Sequence, residues 1–492
     1  MLNSLSIRLL LAFILVGVVV SLLFNMLAAR FDPALAAIIL LLAISVLFVI
    51  LRHAKQRTGH YRDWRKSFTW WHWLWLCLFL SGIVIRVRDV HDIEQTVVDP
   101  WAAFRIVLIG IAALVLLVRL ALRKEFWLAS IFRGLLGAIT VYGLFSVISS
   151  LWSVYPAWTA YKSCEYLVDI CVLAVILCVL HRAPEYRGLL NWTYTLYGLL
   201  LTSVWLGVLV WPSLALVHIS GILPLRLYGV LPPVDANTLG DYSAVLAIVS
   251  LVRIFLKSPH HSGNRAWYWL LFAGSFTTLI LSQTRSALAA LAVALLLVLW
   301  VSGRKPAAIG LIATGLFLKL TSAAPILWAY VRRGQNDALW GSLSGRMDFW
   351  GLGWEKFLER PFTGFGAYAA GRFAVLAPLG ASTTSTVHNS YVEILVGVGI
   401  LGLIPVLVAL LGTWWILFRA NRSMPLDIAE HQLAIEMLGV LAILTARSFL
   451  STNLIWHPPL FFLLVLGYAE FLRRRHSSAT SPAFEGGLQP AD

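Results

Sequence analysis

His388-Asn389-Ser390-Tyr391 runs straight into VEILVGVGILGLIPVLVALL, residues 392–411. That stretch carries a single charge, Glu393. As a helix it is long enough to cross the ~30 Å hydrocarbon core of a bilayer. Similar runs recur along the chain, among them Pro33–Leu51, Phe68–Ile85, Trp267–Leu281 and Ser286–Val301. They are continuous rather than alternating ten-residue segments, which argues against a β-barrel. The composition agrees, at 60% hydrophobic and 12% charged, where a soluble domain carries about 25% charged residues. The expected fold is all-α: a polytopic membrane protein of about 12–14 transmembrane helices.

The net charge of +15 reads as topology rather than as nucleic-acid binding, because no soluble basic domain is present to do that. Lys and Arg collect in alternate loops: Arg52 to Lys66, Arg119 to Lys124, His181 to Arg187, Arg253 to Arg265, Arg304-Lys305, Arg419 to Arg422 and Arg473-Arg474-Arg475. The loops between them are nearly uncharged, acidic (Asp89 to Asp99) or long. The positive-inside rule assigns the basic set to the cytoplasm and, with it, both termini. The apolar run that follows Arg8 reads as an uncleaved first helix, since it is long and further spans follow. The cysteines 77, 164, 171 and 178 lie inside apolar runs without metal spacing and read as small packing residues.

Three regions follow: N-terminal transmembrane helices over 1–125, a transmembrane core over 126–472 and a disordered cytoplasmic tail over 473–492. The longest loop, about 325–388, falls on the extracytoplasmic side and exceeds ordinary connections. Within it Met347, Trp350, Trp354, Phe357 and Leu358 recur at helical spacing until Pro361. This predicts an amphipathic helix on the outer membrane surface, followed by a turn at Gly364 and Gly366.

On this topology Arg226, Arg285, Arg346 and His388 all reach one leaflet interface from distant parts of the chain. Arginine suits a diphosphate, because its planar fork binds bidentately and stays charged where water is scarce. A histidine beside it, with a pKa near neutrality, has the chemistry to take a proton from a sugar hydroxyl. The competing readings are ordinary ones: an interfacial Arg snorkels to headgroups, and an interfacial His is structural. Arg332, Arg333, Arg360 and Arg372 of the long loop are further candidates beside Arg346. Glu393, five residues beyond His388, is not expected to share its face. No Asp/Glu cluster is apparent near these residues, so metal ligands are not expected.

The His388–Tyr391 stretch, with Gly397, Gly399 and Gly402 behind it, resembles the O-antigen ligase and polymerase superfamily. Ser282–Ser286, Ser344–Trp350 with Pro361–Gly366, Leu227–Gly240 and Trp152-Ser153-Val154-Tyr155-Pro156 resemble it too, so the likeness spans about 151–411. It implies a metal-independent, inverting glycosyltransferase of the GT-C type in the bacterial inner membrane, acting on its periplasmic face. The donor would be a glycan on undecaprenyl diphosphate. The acceptor would be lipid A–core for a ligase, or a growing glycan for a polymerase. By this resemblance Arg226 and Arg285 would hold the diphosphate and His388 would deprotonate or orient the acceptor hydroxyl. Arg346, with Asn389 and Tyr391, would bind substrate. The sequence does not separate ligase from polymerase. A transporter or flippase of lipid-linked saccharides would also want interfacial arginines, and would carry ionisable groups deep in its spans, where Arg133 and Arg447 are found.

Overall fold

A computed structural model describes residues 69–480, apart from 84–87, 89, 97, 124–126, 257–264, 381–383, 385 and 424–427. The first two expected spans lie outside the described residues, and so does the expected disordered tail from 481 on, whereas its first part, 473–480, is helical. The chain divides into compact units Met1–Trp70 and Trp71–Asp492, and the second holds everything below.

The fold is helical almost throughout. Its helices are α1 (Trp70–Ser81), α2 (Pro100–Arg123), α3 (Gly134–Ile148), α4 (Pro156–Val179), α5 (Ala183–Val210), α6 (Ala236–Phe255) and α7 (Arg265–Ser282). They continue with α8 (Arg285–Val301), α9 (Lys305–Lys319), α10 (Ala323–Arg332), α11 (Arg346–Glu359), α12 (Ser390–Ser423), α13 (Ile428–Ser448) and α14 (Leu460–Thr480). Among the described residues, 6 of these are long and apolar enough to cross a membrane, or 7 if the pair α9 and α10, bent by 95°, is one span. This is a multi-pass membrane protein. Large apolar side chains face outward, such as Leu114, Leu117 and Leu122 of α2 and Ile312, Leu316 and Phe317 of α9, as spans in lipid require.

Local chemistry starts the helices. Pro156 and Pro184 sit in the first turns of α4 and α5, where a missing N–H costs nothing. The Glu185 carboxylate accepts from the backbone N–H groups of His181 (2.7 Å) and Arg182 (3.2 Å). Asp235 caps α6, accepting from the N–H groups of Asn237 (2.8 Å) and Thr238 (3.1 Å).

Hydrogen bonds tie the basic loops together at one end of the bundle. Arg304 donates to Phe255 O (2.7 Å), Arg187 to Gln432 Oε1 (3.0 Å), Gln432 to Leu256 O (2.7 Å) and Asn421 to Val301 O (3.4 Å). Arg475 pairs with Glu430 there. The weakly charged connections gather at the opposite end.

At that opposite end the amphipathic helix is present as α11, and Arg360 ends it. Its inner face differs from the expected one. Phe349, Leu352, Gly353 and Phe357 pack inward, while Met347, Trp354 and Leu358 stay exposed. A side chain at Gly353 would run into Val392, so α11 lies directly on α12. After α11 the chain pairs with a break in α12. Phe365 N donates to Val396 O (2.9 Å), Gly366 N to Gly397 O (2.8 Å) and Ile400 N to Pro361 O (2.8 Å). The break is at Gly399, whose φ of 64° is left-handed and whose missing side chain leaves room for the Phe362 backbone. The Trp152–Pro156 stretch clamps the same loop from the other side. Trp152 Nε1 donates to Thr363 O (3.1 Å) and Val154 N to Phe365 O (2.9 Å).

Residues 216–234 depart from an all-helical reading. They form two short antiparallel ribbons, β1 (Leu216–His218) with β2 (Leu225–Leu227), and β3 (Gly229–Val230) with β4 (Pro233–Val234). Gly, Pro and β-branched residues disfavour helix there, and strand pairs satisfy the backbone in a loop too short for anything larger.

Candidate functional site

A cavity of about 500 Å³ lies at the weakly charged end, among α1, α2, α5, α6, α13, the chain before α12 and the connection 449–459. Arg346 and His388 both line it, so the structure brings together two of the residues singled out in the sequence. His388 has a φ of 57°, a left-handed conformation that costs a non-glycine residue ~1–2 kcal/mol. Its backbone N–H lies 3.4 Å from Thr386 Oγ1. Burial, followed by repulsion from Arg346 and Arg447 and offset in part by Asp235, pushes its pKa down to about 4. The imidazole is therefore neutral at physiological pH, a weaker base than the sequence suggested. Arg346, at the start of α11, is likewise pushed down to about 10 by burial and by Arg447, Arg285 and Arg226.

Arg447 and Asp241 also face the cavity. They form a buried ion pair, Arg447 Nη2 lying 3.1 Å from Asp241 Oδ2, and Arg447 also donates to Ser286 Oγ. That serine adjoins Arg285, which links the cavity to a second arginine group beside it. Arg226, on β2, donates to Ser282 O (3.0 Å), Tyr228 Oη (3.2 Å) and Asn237 Oδ1 (3.1 Å). Arg285 donates to Val331 O (2.8 Å), Gln335 Oε1 (2.8 Å) and Ser344 Oγ (3.2 Å), with Trp340 beneath it at 5.0 Å. Arg333 lies 3.4 Å from Gln283 O, and burial, Arg285 and Arg226 push its pKa down to about 10. Each of Arg226 and Arg285 uses three of the five guanidinium N–H groups on protein, leaving donors for a ligand.

The turn that presents Arg285 is built by its neighbours. Gln283 donates to Leu223 O (2.8 Å) and Leu225 O (2.9 Å), and Thr284 Oγ1 to Ala236 O (2.8 Å). The turn thereby docks on the ribbon carrying Arg226 and on the first residue of α6.

Residues 270–407 match the family model described as O-antigen ligase. That match supports the resemblance to the O-antigen ligase and polymerase superfamily for this segment. No curated protein matches the chain. The O-antigen ligase segment contains Arg285, Arg333, Arg346 and His388. Arg226, Asp241 and Arg447 are supplied from outside it. The O-antigen ligase family so matched implies a lipid-linked glycan and a glycan acceptor as the class of substrates.

Two further residues of the motif in this O-antigen ligase segment hold structure. Asn389 Oδ1 caps α12, accepting from Tyr391 N (2.9 Å) and Val392 N (3.1 Å). The Tyr391 hydroxyl is bonded by Ser448 Oγ (2.9 Å), and its ring packs on Phe449. Neither lines the cavity, and nor do Arg226 and Arg285. Glu393, set aside in the sequence, accepts from Val387 N (3.0 Å) and so braces the chain entering His388. Among the described residues no three His, Cys, Asp or Glu side chains are grouped as metal ligands.

Titratable residues that line the cavity and that the sequence did not assign to the site are Asp235, Asp241, Arg447, Arg105 and His457. Arg447 was visible as a charge inside an apolar run, which is the available signal. The Asp241 partner lies 206 positions away in the chain, and only the packing of α6 on α13 brings them together.

Proposed function

We propose that this protein transfers a glycan from undecaprenyl diphosphate to an acceptor sugar hydroxyl, on the periplasmic face of the bacterial inner membrane. The observation that supports it most is the placement of His388 and Arg346 on one cavity, beside Arg226, Arg285 and Arg333. Arg226, Arg285, Arg333 and Arg346, with Arg447 paired to Asp241, bring an excess of positive charge to this end of the molecule, which suits a polyanion whose lipid tail stays in the bilayer.

In this reading the acceptor oxygen attacks the anomeric carbon from the face opposite the diphosphate. The new glycosidic C–O bond forms as the bond to the diphosphate oxygen breaks, and the anomeric centre inverts. The leaving oxygen takes the electron pair, and arginines neutralise it in place of a metal ion. One such donor contributes about 2.7–4 kcal/mol to the barrier in comparable charge-stabilising sites. The acceptor proton goes to His388. Burial, and after it repulsion of the imidazolium by Arg346 and Arg447, holds its pKa low. A bound diphosphate offsets that repulsion, so the donor itself makes His388 a better base.

The flippase alternative is weaker on this structure. Of the two in-span charges that favoured it, Arg447 is locked to Asp241 and Ser286, and Arg133 stands at the N-terminal end of α3 rather than deep within a span.

The test is a deletion strain complemented with wild type or His388→Ala, read by its lipopolysaccharide and polysaccharide profile. Full-length polymer left on undecaprenyl diphosphate identifies a ligase, and single repeat units identify a polymerase. Restoration by His388→Ala removes the base. A normal profile in the deletion strain overturns the transferase reading.

A further inference from the structure

The cavity has a second polar wall, assembled from parts of the chain that lie outside the O-antigen ligase segment. Arg105, Asn453, Trp456 and His457 all face it. These residues are built in. Arg105 Nε donates to Ser81 O (2.7 Å), and Ser81 Oγ lies 2.8 Å from His457 Nε2. His457 Nδ1 lies 2.7 Å from Asp169 Oδ2, and both side chains are buried.

The charge on this wall differs from that around His388. Arg105 is 3.7 Å from Glu165, Lys162 is 2.6 Å from the same carboxylate, and Asp169 stands against His457. Cations and carboxylates are matched here, whereas the arginines around His388 and Arg346 outnumber their acids. A diphosphate has no reason to choose the matched wall.

What that wall offers is a donor and an acceptor that no protein group satisfies among the described residues. Asn453 Nδ2 donates to Leu444 O at the end of α13 (3.1 Å). That bond settles which way the amide points, because a carbonyl accepts only from the nitrogen. Asn453 Oδ1 is left buried without a partner among the described residues, a costly state for an amide oxygen. Three residues on, the Trp456 indole N–H also makes no hydrogen bond among the described residues. Its ring is held edge-on by Tyr368 (6.2 Å between centroids) and by Lys162 Nζ at 6.0 Å. Sugar hydroxyls both donate and accept, so one saccharide can satisfy both groups. The indole in turn covers the apolar C–H face of a pyranose.

We infer that Asn453 and Trp456 form the binding site for the acceptor saccharide, across the cavity from the donor diphosphate. This rests on the transferase reading above. It assigns the acceptor to the 449–459 connection rather than to the long loop. An acceptor on that wall shares a single cavity with His388, as in-line attack demands.

The test uses the full chain in nanodiscs. The donor is the strain's own glycan on undecaprenyl diphosphate, and the acceptor is glycolipid extracted from the deletion strain. Asn453→Ala and Trp456→Ala are expected to raise the KM for acceptor about tenfold, the scale of one or two lost hydrogen bonds. The KM for donor and kcat at saturating acceptor should stay as in wild type. Trp456→Phe, which keeps the ring and loses the N–H, should fall between. Undecaprenyl diphosphate binding, followed by native mass spectrometry, reports that each variant is folded. An unchanged acceptor KM in Trp456→Phe and Asn453→Ala, with that binding intact, overturns the assignment. A rise in donor KM in parallel with acceptor KM overturns it too. Failure of the wild type to bind undecaprenyl diphosphate sinks the transferase reading, and this inference falls with it.

Discussion

At the scale of single residues, His388 is defined by its neighbours. Its pKa of about 4 lies below the ordinary value of 6.5. The unfolded chain therefore binds more protons between those two values, and this histidine's contribution to stability declines as pH falls from 6.5 toward 4. Activity should follow the neutral form. The acid limb of kcat/KM, which reports the free enzyme, is expected well below pH 6.5 and near 4. Arg346→Gln removes one source of repulsion and should move that limb upward while burial still holds it below 6.5. An acid limb near 6.5 in the wild type, unmoved by Arg346→Gln, would show that His388 is not the titrating base. Arg285 sets a different test. Its two terminal nitrogens tie Val331, Gln335 and Ser344 to the turn. Arg285→Lys keeps the charge but not the fork, and should lower transfer by about 100-fold or more. Full activity in that variant would mean that charge alone suffices.

At the scale of elements, the motif around His388 divides between chemistry and construction. The sequence placed Asn389 and Tyr391 with the substrate, whereas the structure uses the first to start α12 and the second to anchor it to α13. Asn389→Ala should therefore destabilise the protein by about 1 kcal/mol, the usual value of an N-cap. Asn389→Asp, which still caps, should restore the loss in thermal unfolding. Transfer that is lost equally in both variants, with stability intact in Asn389→Asp, would return Asn389 to the substrate. The same division explains what was legible here. Helix α11 was readable because its apolar spacing ends at a proline. Its buried face was not, because a helix with apolar groups on more than one side gives no hint of which side meets protein and which meets lipid. The ribbons that carry Arg226 were invisible for another reason. Strands of two or three residues have no period to read.

At the scale of the whole molecule, the alternation of basic and weakly charged loops was the most informative pattern in the sequence, and the hydrogen bonds bear out its grouping. Arg187, Arg304, Gln432 and Asn421 knit the basic loops into one end. Arg226, Arg285, Arg346 and His388 stand at the other. What alternation alone does not contain is the pairing across that second end. Charge sidedness puts Arg226 and Arg285 on one face, but only the packing of α6, α8 and α13 puts Arg447 on Asp241 beside Ser286. The remaining step is to assign the two ends to the two sides of the membrane. The positive-inside rule puts the basic end in the cytoplasm. In a chain whose four cysteines are replaced by serine, Arg422→Cys at the basic end and Leu343→Cys on the long loop present two exposed thiols. A membrane-impermeant maleimide applied to intact spheroplasts should label Leu343→Cys and leave Arg422→Cys untouched until the membrane is opened. The reverse pattern would put the arginine cavity in the cytoplasm. A periplasmic glycan could not reach it there, and the transfer proposed for this site would have to be abandoned however well its geometry suits a diphosphate.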